Sequence, residues 1–108
     1  MEITCQQLAA RLNHPTQDKP RVVDCRESDE LNICHIEGAE HCPLSKWGEH
    51  WRQWFPDPKQ EIVIICHHGM RSLKATVFLR ERGYAETQSM AGGVDVWAQS
   101  INPSMARY

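Results

Sequence analysis

The segment Cys66-His67-His68-Gly69-Met70-Arg71-Ser72 gathers the residue types that a covalent reaction needs into one short span. A cysteine ends the β-branched run Ile62-Val63-Ile64-Ile65, and a helical pattern opens at about Ser72. Such a loop is a cradle: its backbone N–H groups converge on one sulfur atom, backed by a helix N-terminus. Gly69 supplies backbone freedom for the tight curve. The helix dipole and Arg71 are expected to ionise the thiol more easily than a free cysteine, and the thiolate is the nucleophilic form. Arg71 and a partly protonated His67 or His68 are expected to attract an anionic substrate. Cys66 is therefore the candidate nucleophile. His67, His68, Gly69, Met70, Arg71 and Ser72 form the candidate substrate loop.

That loop needs a buried strand before it and a helix behind it. Residues 61–66, apolar on both faces, suit the centre of a parallel sheet. Residues 21–25 read as a second buried strand. Residues 39–42 and 87–90 read as shorter ones, and Ile3 begins another. Thr4 is the expected N-cap of a helix with Leu8, Ala9 and Leu12 on one face. Ser28 is expected to cap a helical turn over residues 29–33. Ser45 is expected to cap a helix that runs to Trp54 and stops at Pro56 and Pro58. A helix over 72–82, with Gly83 as its C′ residue, and another over 93–100 complete the pattern. Strands alternating with helices predict one α/β domain over residues 1–108 with a mostly parallel sheet. Ligands of such sheets bind at the carboxyl ends of the strands, where Cys66 stands.

Composition narrows the partners. The 108 residues fit one domain, and 41% hydrophobic with 24% charged residues is ordinary for a globular chain. Twelve basic against fourteen acidic residues give a net charge of −2, without the basic excess of a nucleic-acid binder. No run approaches the ~20 apolar residues of a membrane span. Met1-Glu2-Ile3-Thr4-Cys5 shows no leader, so a cytoplasmic chain is expected, with neither nucleic acid nor membrane as partner. The cysteines are five: Cys5, Cys25, Cys34, Cys42 and Cys66. An odd count disfavours a secreted disulfide framework, leaving core thiols, metal ligands or a reactive thiol. Cys34-His35 and His41-Cys42 make a conceivable metal set, yet the Cys-x2–4-Cys pairs of zinc sites are absent, and no metal is expected. Cys25 reads as a packed thiol, with a resolving role for a second cysteine left open.

Four segments together resemble the rhodanese family of sulfurtransferases. They are Val23-Asp24-x-Arg26 followed by Glu30; His35-Ile36-x-Gly38-Ala39 leading into Pro43-Leu44; the Cys66 loop with Ala75, Leu79 and Gly83 behind it; and Gly92-Gly93 followed by Trp97. The resemblance covers nearly the whole chain. It implies a five-stranded sheet with helices on both faces. It also implies transfer of sulfane sulfur from a donor such as thiosulfate, through a Cys66 persulfide, to cyanide or a thiol. No metal or organic cofactor is implied. Glu37 stands where many relatives carry proline, and His67, His68 and Met70 replace a more cationic loop, which leaves room for a protein sulfur donor or acceptor.

Two other readings accompany this one. The first is a rhodanese-fold module that relays sulfur without turnover or only binds a protein. The second is a cysteine phosphatase or arsenate reductase. Phosphatases of this kind use Cys-x5-Arg, whereas Cys66 to Arg71 is Cys-x4-Arg, a ring better sized for one sulfur than for a phosphate. Asp24 and Arg26 are expected to support the active loop from a neighbouring strand. Gly92-Gly93 is expected to permit a close approach beside Cys66. Trp47, Trp51 and Trp54 form one helical stripe, read first as core and second as a partner surface.

Overall fold

The computed structural model describes residues 1–108. Strands β1 (Glu2–Ile3), β2 (Arg21–Asp24), β3 (Glu40–His41), β4 (Ile62–Ile65) and β5 (Thr87–Met90) form one sheet in the order β1-β5-β4-β2-β3. Every neighbouring pair is parallel, so the sheet expected to be mostly parallel is entirely so. Helices α1 (Cys5–Asn13), α2 (Ser28–Ile33), α3 (Trp47–Trp54), α4 (Met70–Arg80) and α5 (Gly93–Ser100) alternate with the strands. None of them is long and apolar enough to cross a membrane.

Side-chain alternation divides the core between the two faces. Val22, Val63 and Ile65 pack with Leu8 of α1 and with Val94 and Trp97 of α5. Val23, Ile62 and Ile64 pack with Trp47 of α3 and with Ala75 and Leu79 of α4. The central strand β4 is buried on both faces, as its unbroken apolar run requires. Trp47 belongs to this core, with its indole N–H donating to the Cys42 carbonyl at 2.7 Å. Trp51 is half-buried and meets Phe78 edge-on, with ring centroids 5.3 Å apart. The core reading of the stripe thus holds for Trp47 and in part for Trp51 and Trp54, both half-buried against the same layer.

Several element ends differ from the sequence expectation. Helix α4 opens at Met70 rather than Ser72, because Gly69 takes φ +101° and turns the chain straight into the helix. It ends at Arg80 rather than Arg82. Gly83 at φ +95° then lets the Tyr84 N–H return to the Leu79 carbonyl at 3.1 Å. Glu27, not Ser28, precedes α2 as its cap residue, and its N–H donates to the Glu30 carboxylate at 3.3 Å. Ser45 caps nothing. It lies inside a 3₁₀ turn, Leu44–Lys46, and its hydroxyl donates to the Glu27 carboxylate at 2.7 Å. Thr4 caps α1 as expected, in a reciprocal pair with Gln7.

Candidate active site

Cys66 lies one residue beyond β4, and the chain from it to Ser72 folds around its own sulfur. The Gly69 N–H donates to Sγ at 3.1 Å and the Ser72 N–H at 3.3 Å. Ser72 Oγ stands 3.3 Å from Sγ and 2.7 Å from Ser89 Oγ of β5. Ser72 is thus a buried first-turn residue of α4 that serves the sulfur with both its N–H and its hydroxyl. Cys66 itself is only 1% exposed. On the β2 side Cys25 is the strand neighbour of Cys66, and both side chains enter the same core layer.

This surrounding makes Cys66 a thiolate at neutral pH. Its pKa falls from 9.0 to about 5 because the Cys25 thiol donates to it; burial opposes the shift, and the Ser72 hydroxyl with the Ser72 and Gly69 N–H groups adds to it. The charge settles on Cys66 rather than Cys25 because these donors point at Cys66, while the Cys25 N–H is spent on the Ile65 carbonyl. The sign is that of a lowered acid: the reactive form is complete at neutral pH and is lost as pH falls through about 5. The rate of Cys66 alkylation by iodoacetamide should follow that midpoint. A midpoint above 8 would mean that the cradle does not hold a thiolate.

Arg71 does something other than expected. Its guanidinium makes a two-pronged pair with Glu30 at 2.6 and 2.8 Å, so its charge is matched rather than offered to a substrate. Arg71 holds the Glu30 carboxyl at about 2, well below its usual range, against burial and with help from the Tyr108 hydroxyl. Tyr108 donates to Glu30 at 2.7 Å and accepts from Arg26 at 2.9 Å. Arg26, fully buried, pairs with Asp24 at 2.7 Å and donates to the Cys34 carbonyl at 2.8 Å. Asp24 and Arg26 therefore reach the loop by a continuous chain, Asp24–Arg26–Tyr108–Glu30–Arg71.

The two histidines divide in role. His67 stacks between His68, centroids 3.8 Å apart, and Tyr108, 3.7 Å apart. Its Nε2 is buried and has no hydrogen-bond partner. His68 is turned outward, with Nδ1 4.0 Å from the Asp95 carboxylate. Met70, the first residue of α4, is 69% exposed. Cys34 and Cys42 lie in opposite core layers, and no group of three His, Cys, Asp or Glu side chains is placed to hold a metal.

Gly92 and Gly93 take the close approach that the sequence implied. The Val94 N–H donates to the Cys66 carbonyl at 2.9 Å and the Asp95 N–H to the His67 carbonyl at 3.1 Å. The first turn of α5 thus caps itself on the loop. A Cβ on Gly93 would lie 2.3 Å from the His67 oxygen, on a residue whose φ is +61°. Gly93→Ala should therefore push the loop by about an ångström and lower kcat/KM of the Cys66-dependent reaction roughly 100-fold. Steady-state kinetics beside a circular dichroism check of the fold would measure this; a variant within threefold of the parent would mean that the contact is slack.

Sequence reasoning missed Tyr108 altogether and gave Glu30 no role. It also separated Cys25 from the site. No local signal marks the Tyr108 contacts, which join positions 41 and 82 residues apart in the chain. Cys25 was accessible in principle, because the β2 and β4 runs can be aligned to set the two cysteines side by side.

A parallel α/β sheet with a cysteine cradle at its carboxyl edge defines the class. The family model of the rhodanese-like domain matches residues 4–100, and the chain belongs to that family. It is similar to the thiosulfate sulfurtransferase of Actinobacillus succinogenes, 26% identical over 87 residues, covering 81% of this chain and 77% of the relative. It is also similar to the rhodanese-like/PpiC domain-containing protein 12 of Arabidopsis thaliana, 25% identical over 114 residues; there it covers 99% of this chain but spans only 37% of the relative. The crystal structure of a rhodanese-related protein from Thermoplasma volcanium superposes with a TM-score of 0.80 at 26% identity, over 94% of each chain.

Proposed function

We propose that the protein is a sulfurtransferase that takes sulfane sulfur from thiosulfate onto Cys66 and passes it to cyanide or a thiol. The observation that carries this reading is the ionised Cys66 sulfur ringed by the Gly69 and Ser72 N–H groups. Membership of the rhodanese-like family and likeness to a thiosulfate sulfurtransferase support it. The thiolate attacks the outer sulfur of thiosulfate, and sulfite leaves with the electron pair of the broken S–S bond. The persulfide's outer sulfur then meets the acceptor, whose attack returns the Cys66 thiolate. The loop N–H groups hold the charged sulfur species at each stage.

Arg71 mainly braces the loop, because Glu30 cancels its charge. Glu30→Gln should accordingly free that cation and lower KM for thiosulfate by about fivefold, the equivalent of roughly 1 kcal/mol across water. Inhibition kinetics at two salt concentrations would check it. A raised KM would assign Glu30 to loop support alone. All five cysteines are free, which fits a reducing compartment and our placement of the protein in the cytoplasm.

Intact-protein mass after incubation with thiosulfate tests the function. With cyanide present from the start, release of thiocyanate that depends on Cys66 is the expected result, with a one-sulfur adduct seen at the earliest times when cyanide is left out. An adduct that cyanide and thiols leave untouched would indicate a relay confined to a protein partner. No thiocyanate and no change of mass at any time would indicate a binding module, or a phosphate or arsenate substrate.

A further inference from the structure

Three cysteines stand in one row at the carboxyl edge of the sheet. The β2–β4 register sets Asp24 beside Ile65, and the β2–β3 register sets Asp24 beside His41. One residue further along, the Cys25 N–H donates to the Ile65 carbonyl and the Cys42 N–H to the Asp24 carbonyl, both at 3.0 Å, so the registers continue past the strand ends. Cys42, Cys25 and Cys66 are therefore neighbours in that order. All three side chains enter the same core layer. Adjacent strands lie roughly 4.8 Å apart. That spacing falls inside the range of about 4.4–6.8 Å between Cα atoms that a disulfide spans. Cys25 can reach Cys66; Cys42, two strand spacings away, cannot.

We propose that Cys25 is a second reacting thiol, which attacks Sγ of a persulfidated Cys66 and expels the outer sulfur as hydrogen sulfide anion. The inference rests on the reading of Cys66 as a persulfide carrier. The Cys25 Sγ–Cys66 Sγ bond forms as the bond from Cys66 Sγ to the outer sulfur breaks. The electron pair leaves with the outer sulfur, which departs as HS⁻ carrying the proton that Cys25 gives up. The sulfane sulfur is reduced to sulfide, and the two cysteine sulfurs are oxidised to a disulfide. An external dithiol reductant then returns both thiols. The protein thus has an activity beyond transfer to an outside acceptor: reduction of sulfane sulfur to sulfide at the expense of a dithiol.

Access favours this step. Cys66 is 1% exposed, so an outside acceptor must enter the loop, whereas Cys25 stands beside it on the neighbouring strand in the same core layer. While Cys66 is a thiolate, it and the burial of Cys25 keep the Cys25 proton in place. Persulfide formation moves the negative charge to the outer sulfur and relaxes that hold. Resting enzyme is thereby kept as dithiol, and the second step waits for the first.

The test uses the whole chain and two donors, with no acceptor added. Thiosulfate probes the proposed function. Inorganic polysulfide loads any accessible thiolate without donor selectivity. After polysulfide and desalting, the parent protein should pass from a one-sulfur adduct to a species lacking two hydrogens, with one sulfide released per chain. Peptide mapping should join Cys25 to Cys66, and dithiothreitol should restore the starting mass. Cys25→Ser keeps a hydroxyl donor beside Cys66 yet should stop at the persulfide with at least a tenfold loss of sulfide release; Cys25→Ala should stop there too. Cys42→Ser should behave as the parent. A long-lived persulfide in the parent, a disulfide that maps to Cys42, or a Cys66 that polysulfide does not load would each overturn the proposal. Success with polysulfide alongside failure with thiosulfate would support Cys25 and sink only the thiosulfate reading.

Discussion

Cys66→Ser is expected to leave sulfur transfer below detection, a loss of more than about 10⁴-fold in turnover. Serine differs by one atom, so the fold should persist, but a hydroxyl buried here does not ionise near neutral pH and does not carry sulfane sulfur. The cradle donors stand 3.1 and 3.3 Å from the sulfur, a spacing suited to its radius, and would sit slack around an oxygen. Cys34→Ser and Cys42→Ser should keep most of the transfer to cyanide. Cys34 packs in the opposite core layer, and Cys42 is separated from Cys66 by Cys25. Thiosulfate–cyanide turnover of the three variants, with thermal unfolding as the control for fold, decides the matter. A Cys66→Ser protein that kept a tenth of the activity would remove the nucleophile from the mechanism. An inactive Cys34→Ser would require a different second cysteine.

Asp24→Ala should cost about 3–5 kcal/mol of stability, because it leaves the Arg26 guanidinium buried without its counter-charge. Arg26 is 0% exposed, and Asp24 satisfies its backbone N–H as well as its side chain. Against the roughly 5–15 kcal/mol that holds a domain folded, that is a large share. The midpoint of thermal unfolding should fall by more than about 12 °C. Activity should fall further than stability alone accounts for, since Arg26 also positions Tyr108, and Tyr108 holds Glu30 and stacks on His67. Replacing the pair together, Asp24→Leu with Arg26→Met, should regain much of the stability but not the activity. Calorimetry and turnover on the three proteins separate the two effects. Full activity in the double variant would reduce the pair to core packing.

The sequence was most legible where one local rule decides the outcome. The β4 run could only be a buried strand, and a glycine placed three residues after Cys66 could only mark a tight turn. The paired glycines at 92 and 93 pointed to a close approach that the Val94 and Asp95 hydrogen bonds realise. It was least legible where partners meet through tertiary structure. Arg71 looked like a free cation because Glu30, its partner, lies 41 residues away in the chain. Ser28 and Ser45 carry good capping side chains, but Glu27 and the 3₁₀ turn took those ends. Cys25 looked inert because strand register, which sets its neighbours, is a property of the sheet and not of the strand.

The hydrogen bonds from α5 to the Cys66 and His67 carbonyls bear on how such a loop can be inherited or engineered. Residues 66–71 are not a cassette. A transplanted loop of another length would present its first two carbonyls elsewhere, and the opening amides of α5 would be left without acceptors. The transferable unit is the loop together with residues 92–95, two pieces of chain that must be exchanged as a pair for either to keep its shape.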